Sequence, residues 1–308
     1  MTPSERHADN RRGILFMIGA STAFIASDTL VKLAADSLPI VQIIFLRGLM
    51  VAPLLIGVGL YLSGRRVFDP IRHRIVWWRA LGEVGATALY LSALAHMPIA
   101  NSTAILQVIP LAVTAAAAIV LGEKVGVRRW SAIAVGLAAV ILIVRPGLEG
   151  FNAWSIAALA SVGFIVLRDL TSRVLPSSLA IFGVTGLSAV VVTLFGAAML
   201  PFSGWEPVTL GLFVKVTGSA VALAIGYVLI VLAMRSGEIS VVAPFRYVIL
   251  LWAIVAQITV FAVWPDALTL VGSAILVMTG LYTFYRERKV VAEPEGRPAA
   301  RAQIPPQV

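Results

Sequence analysis

Ten apolar runs of membrane-spanning length, joined by short polar links, constrain this chain more than anything else in it. A spanning helix needs roughly 20 mostly apolar residues. The runs lie near 13–34, 38–62, 75–96, 98–121, 129–145, 152–169, 178–201, 210–234, 238–262 and 267–286. The fifth and sixth are short and are separated by Arg-Pro-Gly-Leu-Glu-Gly (145–150). Composition points the same way: 59% of the 308 residues are hydrophobic and 13% charged, where soluble domains average roughly 45–50% and about 25%. In lipid, every backbone polar group has to be satisfied within the protein. The predicted fold class is therefore all-α, a polytopic membrane protein with ten transmembrane helices.

Basic residues orient these runs, because cytoplasmic loops collect Lys and Arg. One set of ends carries Arg6, Arg11 and Arg12; Arg65, Arg66, Arg72 and Arg74; Lys124, Arg128 and Arg129; Arg168 and Arg173; Arg235; and Arg286, Arg288 and Lys289. The alternate links at 35–39, 201–207 and 264–266 hold no Lys or Arg. Arg145 is the exception, with Lys32 near the border. Both termini are expected on the cytoplasmic side, which an even number of spans satisfies. Residues 1–12 read as a cytoplasmic tail, and the first run reads as a retained helix rather than a signal peptide. Residues 290–308 read as a disordered cytoplasmic tail.

A net charge of +9 would suggest nucleic acid in a soluble protein. Here the basic residues flank apolar runs, so nucleic acid is not an expected partner. The chain has no cysteine and only three scattered histidines, His7, His73 and His96. No metal-spaced cluster, nucleophile grouping or nucleotide-binding loop is present. Neither a cofactor, a resident metal nor an enzymatic activity is expected, and a self-contained ATP-driven pump is disfavoured.

The chain also echoes itself. Leu94-Ala95, a polar link and Ser102 recur as Leu232-Ala233, a polar link and Ser240 at the same spacing. Each is followed by a long run, a short loop and a final run. That divides the chain into halves at 13–147 and 151–289, each of five helices. Five is odd, so the second half starts from the opposite face, which gives inverted repeats with a site between them near the midplane.

Charges inside the runs carry the functional expectation. Arg246 falls about eight residues into an apolar run, in Ala-Pro-Phe-Arg-Tyr (243–247). An arginine does not escape burial by deprotonating, so it must face a partner or a watery cavity, and such residues are functional candidates. Pro244 loosens the helix beside it. Arg246, with Tyr247, is expected to contact an anionic or hydrogen-bond-accepting part of a solute; the plain alternative is a pair with Glu83. Glu83 is either the local partner of Arg79, four residues earlier on the same face, or a proton-coupling acid raised by burial. Asp28 is a second coupling candidate, although Lys32, again four residues away, offers mutual neutralisation or snorkels to the interface. Arg47 poses the same question in the second run. Asn101, Ser102, Gln107, Tyr90, Tyr227 and Gln257 are further polar points, with helix-to-helix hydrogen bonds as their bland reading. Glu123 reads as a clamp on the helix 4–5 turn beside Lys124, Arg128 and Arg129.

Taken together, residues 13–287 resemble the drug/metabolite transporter superfamily, specifically the ten-helix EamA-type permeases of bacteria. The most specific part is Leu-Gly-Glu-Lys-Val-Gly (121–126), then Arg128-Arg129-Trp130, closing with Ile-Val-Arg-Pro-Gly (143–147). Asp28, Lys32, Phe45-Leu46-Arg47, Pro110 and 243–247 support it. The second half departs from the family where a second Leu-Gly-Glu is usual, reading Val-Phe-Ala-Val-Trp-Pro-Asp (260–266). The resemblance implies a secondary transporter in the bacterial inner membrane that moves a small organic metabolite by alternating access. Riboflavin-like, S-adenosylmethionine-like and amino-acid-like solutes are the classes it brings in. It also implies a cavity lined by the third, fourth, eighth and ninth helices, giving substrate-binding candidates Arg246, Tyr247, Arg47, Gln107, Tyr90 and Tyr227. The expected partners are the solute, the lipid bilayer and a second copy of the chain. A flippase for a lipid or lipid-linked sugar is the alternative.

Overall fold

The computed structural model describes residues 3–123, 125–145, 152–176, 178–236 and 239–292. The expected link at 146–151, Lys124 and the tail at 293–308 lie outside the described residues. Among the described residues all regular structure is helical. The helices are α1 (Pro3–Ala35), α2 (Ile40–Ser63), a 3₁₀ segment (Gly64–Arg72), α3 (Arg74–His96), α4 (Ile99–Leu106), α5 (Ile109–Val120), α6 (Val127–Val144), α7 (Ala153–Arg173), α8 (Ile181–Ser203), α9 (Leu210–Arg235), α10 (Ile239–Val242), a 3₁₀ turn (Ala243–Tyr247), α11 (Val248–Thr259) and α12 (Ala267–Ala292).

These elements form ten segments once two of them are recognised as broken. The expected fourth helix is α4 plus α5. Pro110 has no N–H to donate and its ring clashes with the carbonyl four residues earlier, that of Leu106, where α4 stops. Gln107 N–H then bonds Ala104 O at 3.0 Å and Val108 N–H bonds Ile105 O at 3.3 Å, the tighter i→i+3 pattern. The expected ninth helix is α10, the 3₁₀ turn and α11, with Pro244 inside the turn. Gln107 and Arg246 therefore sit at the two breaks.

The described part of the N-terminal stretch is helical: α1 begins at Pro3, as proline's fixed φ suits a first helical position, and neither Pro nor Gly interrupts the chain until Gly13. At the other end one expectation is corrected. The last helix runs on to Ala292, so 290–292 are helical rather than disordered.

Among the described residues seven helices are long and apolar enough to cross a membrane, and Pro244–Thr259 and Ala267–Tyr282 are shorter apolar helices. The remaining segment, α3, has 23 residues, about 34 Å at 1.5 Å per residue. Its composition is diluted by Arg79 and Glu83, whose side chains are only 12% and 16% exposed. Its charges face protein rather than lipid.

The most extensive helix contacts are α1 with α9, α3 with α7, α2 with α8, and α6 with α12. Each joins the first five segments to the last five. Exchanging the two halves maps the α1–α9 pair onto the α7–α3 pair and leaves the other two unchanged. One core cluster gathers α3, α4, α5, α6 and α7 with Leu250 and Leu276. A second gathers the ends of α1, α2 and α3 with Leu212 and Val216.

Candidate functional site

Two groups of polar side chains lie within the bundle. The first joins α1, α2, α3 and α9. Asp28 Oδ2 accepts a 2.7 Å hydrogen bond from the Tyr90 hydroxyl. Arg47, 8% exposed, donates through Nη2 to Ser27 Oγ at 2.9 Å. Ser27 in turn donates to Ser219 O at 3.0 Å, so a serine pair ties α1 to α9 and holds the guanidinium. Asp28 is the strongest electrostatic partner of Arg47, yet no ion pair within 4.0 Å joins them among the described residues.

The expected neutralisation of Asp28 by Lys32 does not occur. Lys32 Nζ donates instead to Leu94 O and Met97 O, both at 2.7 Å, and to Ala95 O at 3.3 Å. Those carbonyls end α3, where unpaired acceptors and the helix dipole favour a cation. Lys32 therefore does not snorkel; it caps a neighbouring helix.

The second group joins α3, α7, α8 and the broken ninth segment. Glu83 lies between two guanidiniums, with Arg79 Nη2 at 3.8 Å and Arg168 Nη1 at 3.6 Å. Arg168 Nε also pairs with Asp169 at 2.9 Å. Arg79 donates to Ser172 at 3.0 Å and Ser188 at 2.6 Å. Arg246 is exposed, and the charges it feels most are Asp169 and Arg168. The expected alternative, an Arg246–Glu83 pair, is not formed, because Glu83 is occupied by Arg79 and Arg168. Three guanidiniums against two carboxylates leave this group with one net positive charge. Among the described residues no hydrogen bond or ion pair fixes the Arg246 guanidinium.

Tyr227 connects the groups. Its ring packs edge-on against Phe24, centroids 5.7 Å apart, and its hydroxyl lies within electrostatic reach of Glu83, Arg168, Arg47 and Arg79. Tyr227 thus lies in the field of Arg47 from the first group and of Glu83, Arg79 and Arg168 from the second, and Arg246 in that of Asp169 and Arg168. Two further candidates, Tyr247 and Gln107, are buried. The hydroxyl end of Tyr247 lies against Gly280 of α12. Gln107 lies at the break between α4 and α5. Gln257 accepts the Ala100 N–H at 2.8 Å, satisfying an otherwise orphaned donor at the start of α4. Glu123 pairs with Arg173 of α7 at 3.1 Å, and Lys124 beside it lies outside the described residues.

Arg168, Asp169, Ser172 and Ser188 were not singled out as site residues in the sequence. Arg168 lies five residues from the end of α7 and reads as an ordinary cytoplasmic border charge. The available signal was an adjacent Arg-Asp pair inside an apolar run. A separate cavity of about 310 Å³ is lined by Lys32, His96, Met97, Gln257, Phe261 and Val263, among others, away from Arg246. Among the described residues no cluster of His, Asp or Glu could hold a metal.

Residues 11–145 match the EamA-like transporter family. Over that stretch, less than half of the 308 residues, the chain is similar to EamA-like transporters. It is 24% identical to a pseudopaline exporter of Pseudomonas aeruginosa over 275 residues, covering 87% of this chain and 94% of that one. A riboflavin transporter of Vibrio cholerae is 24% identical over 290 residues, 90% of this chain and 94% of its own. An S-adenosylmethionine uptake transporter of Rickettsia felis is 26% identical over 200 residues, 63% of this chain and 66% of its own. A crystal structure with 18% identity superposes with a TM-score of 0.60 over 90% of this chain and 98% of that one, a likeness of fold. All three named relatives are transporters of small metabolites, and the chain is a multi-pass membrane protein.

Proposed function

We propose that this chain is a secondary transporter that moves a small organic solute by alternating access between two inverted five-helix halves, 13–147 and 151–289. The observation that carries the reading is Arg246. It sits in a proline-broken segment, exposed, beside a charge group whose other members are already paired. A break in a spanning helix is tolerated where it lines a cavity, and discontinuous helices commonly form transporter sites. Arg246 would take a carboxylate, phosphate or carbonyl of the solute, with Tyr227, Tyr90 and Arg47 as further contacts. Asp28 and Glu83 are the coupling acids of this reading. Asp28 is the better placed, since Glu83 already lies between two guanidiniums.

The relatives include one exporter and two uptake systems, which supports metabolite transport and leaves riboflavin-like, S-adenosylmethionine-like and amino-acid-like solutes to be tried. The Lys and Arg distribution supports an inner-membrane protein with both termini in the cytoplasm. The test is uptake into proteoliposomes from a panel of flavins, S-adenosylmethionine, amino acids and purines, with and without a pH gradient. Saturable uptake of one class is expected, lost in Arg246→Ala with folding intact. Unchanged uptake in that variant removes Arg246 from the site.

A further inference from the structure

The 3₁₀ segment Gly64–Arg72 between α2 and α3 is not a passive link. Gly64, at φ +56°, turns the chain out of α2 in a conformation glycine adopts without strain. The segment is then inlaid between α2 and α8. Val67 and Pro70 are buried. A side chain at Gly59 of α2 or at Gly183 of α8 would collide with Val67, and at Gly183 also with Pro70. Two glycines, one from each half of the chain, thus form a notch that seats this segment. Trp77 fastens its far end, donating Nε1–H to Ile71 O at 3.0 Å.

Everything the segment does not bury points outward with one chemistry. Arg65, Arg66, Arg72 and Arg74 are exposed, with His73 beside them and Asp69 as the single acid. Among the described residues none of the four guanidiniums has a hydrogen-bond or ion-pair partner. Interleaved with them are exposed Phe68 and Ile71, then Trp77 and Trp78, each 46–56% exposed. A basic patch alone would suit any polyanion. Guanidiniums alternating with exposed indole and alkyl groups, at the end of spanning helices, suit a phosphate that carries acyl chains. Arginine matches phosphate geometry through paired N–H donors.

We propose that this platform is a binding site for the headgroup of an anionic phospholipid, and that a bound lipid braces α2 against α8 at this end of the bundle. The site stands independently of which solute is carried. The test is thermal unfolding of the detergent-purified protein titrated with phosphatidylglycerol, phosphatidylcholine or free glycerol 3-phosphate. A ligand that binds only the native state raises the unfolding midpoint with its concentration. Phosphatidylglycerol is expected to raise it in the natural protein and to lose that effect in the combined Arg65→Gln, Arg66→Gln, Arg72→Gln variant. The corresponding three-lysine variant should recover part of the shift. The Arg11→Gln, Arg12→Gln pair, which removes two exposed charges from α1, should keep all of it. An equal shift in the glutamine variant overturns the site. So does a response to phosphatidylcholine or glycerol 3-phosphate as large as that to phosphatidylglycerol, or a loss of the shift in the Arg11 and Arg12 pair.

Discussion

Gly82→Ala tests the contact that brings Glu83 to Arg168. A Cβ at Gly82 of α3 would lie 2.8 Å from Arg168 N, 2.9 Å from Phe164 O and 3.0 Å from Arg168 Cβ. Two of these are backbone atoms of α7, so no rotamer change relieves the collision. Ordinary contact begins at 3.4 Å, so the two helices must part locally by about 0.6 Å (3.4 minus 2.8). Overpacking of this kind costs about 1–3 kcal/mol. Alanine also gains helix propensity over glycine, by roughly 0.8–1 kcal/mol, which masks part of the loss. Gly163→Ala on α7 supplies the correction, since a Cβ there meets nothing within 4 Å. The difference between the two variants cancels propensity and isolates the collision. Thermal or denaturant unfolding in detergent should therefore place Gly82→Ala below Gly163→Ala by about 1–3 kcal/mol. The same displacement would stretch the 3.6 Å Arg168–Glu83 contact past ion-pair range. Glu83→Gln should accordingly cost less in the Gly82→Ala background than alone. Equal midpoints for the two alanine variants, or full additivity with Glu83→Gln, would refute this close crossing.

Other substitutions separate structural charges from functional ones. Glu83→Gln alone leaves Arg79 and Arg168 facing each other with little exposure and should destabilise by about 3–5 kcal/mol, read as a lower unfolding midpoint; a variant as stable as the natural protein would show that the glutamate does not balance those arginines. Gln257→Leu removes the acceptor for Ala100 N–H, and a buried donor left unsatisfied costs about 1–3 kcal/mol; the same assay checks it. Asp266 both pairs with Arg145 and accepts the Thr269 N–H at 2.9 Å. Asp266→Ala should cost about 1 kcal/mol through its cap, whereas Arg145→Gln, whose partner is 43% exposed, should cost about 0–1 kcal/mol.

The segments were legible because spanning length leaves a plain mark on sequence, and most ends fall within two or three residues of expectation. The breaks were less so. Pro110 and Pro244 were visible, but an apolar run carries no sign of whether a proline bends a helix or divides it; that depends on which neighbours satisfy the freed groups. Partner choice was the least legible. Lys32 lies one turn from Asp28, and only tertiary structure shows that the open carbonyls of α3 are nearer. Gln257 has the composition of a cavity-lining residue and the position of a cap. Arg168 looked like a border charge because helix ends are read along the chain, while its partner Glu83 is fixed by a glycine on another helix. The Arg145 exception to the charge asymmetry finds its reason the same way, in a carboxylate 121 residues onward.

Those long-range links also bear on the transport cycle. At the end whose loops lack basic residues, Gln42 exchanges two hydrogen bonds with the Glu206 backbone, at 2.8 and 2.9 Å. His96 stacks on Trp154 with centroids 3.7 Å apart, Lys215 donates to Leu33 O at 3.1 Å, and Arg145 meets Asp266. Every one of these joins the first half to the second. Rocking the halves so that this end opens requires breaking them together, and Gln42 is fully buried, so its two bonds are lost before water replaces them. Exposed Arg246 lies toward the opposite, basic end, eight residues inside its segment by sequence. Under the proposed alternating-access mechanism, these links would hold the bare-loop end shut while Arg246, exposed and without a hydrogen-bond or ion-pair partner among the described residues, faces the other end. On that reading Gln42→Leu, which keeps bulk but removes both bonds, should shift the balance toward opening at the bare-loop end. A cysteine placed at Tyr227 would then react faster with an impermeant thiol reagent added from that side. An unchanged labelling rate in the Gln42→Leu background would show that these links do not hold the closed end shut.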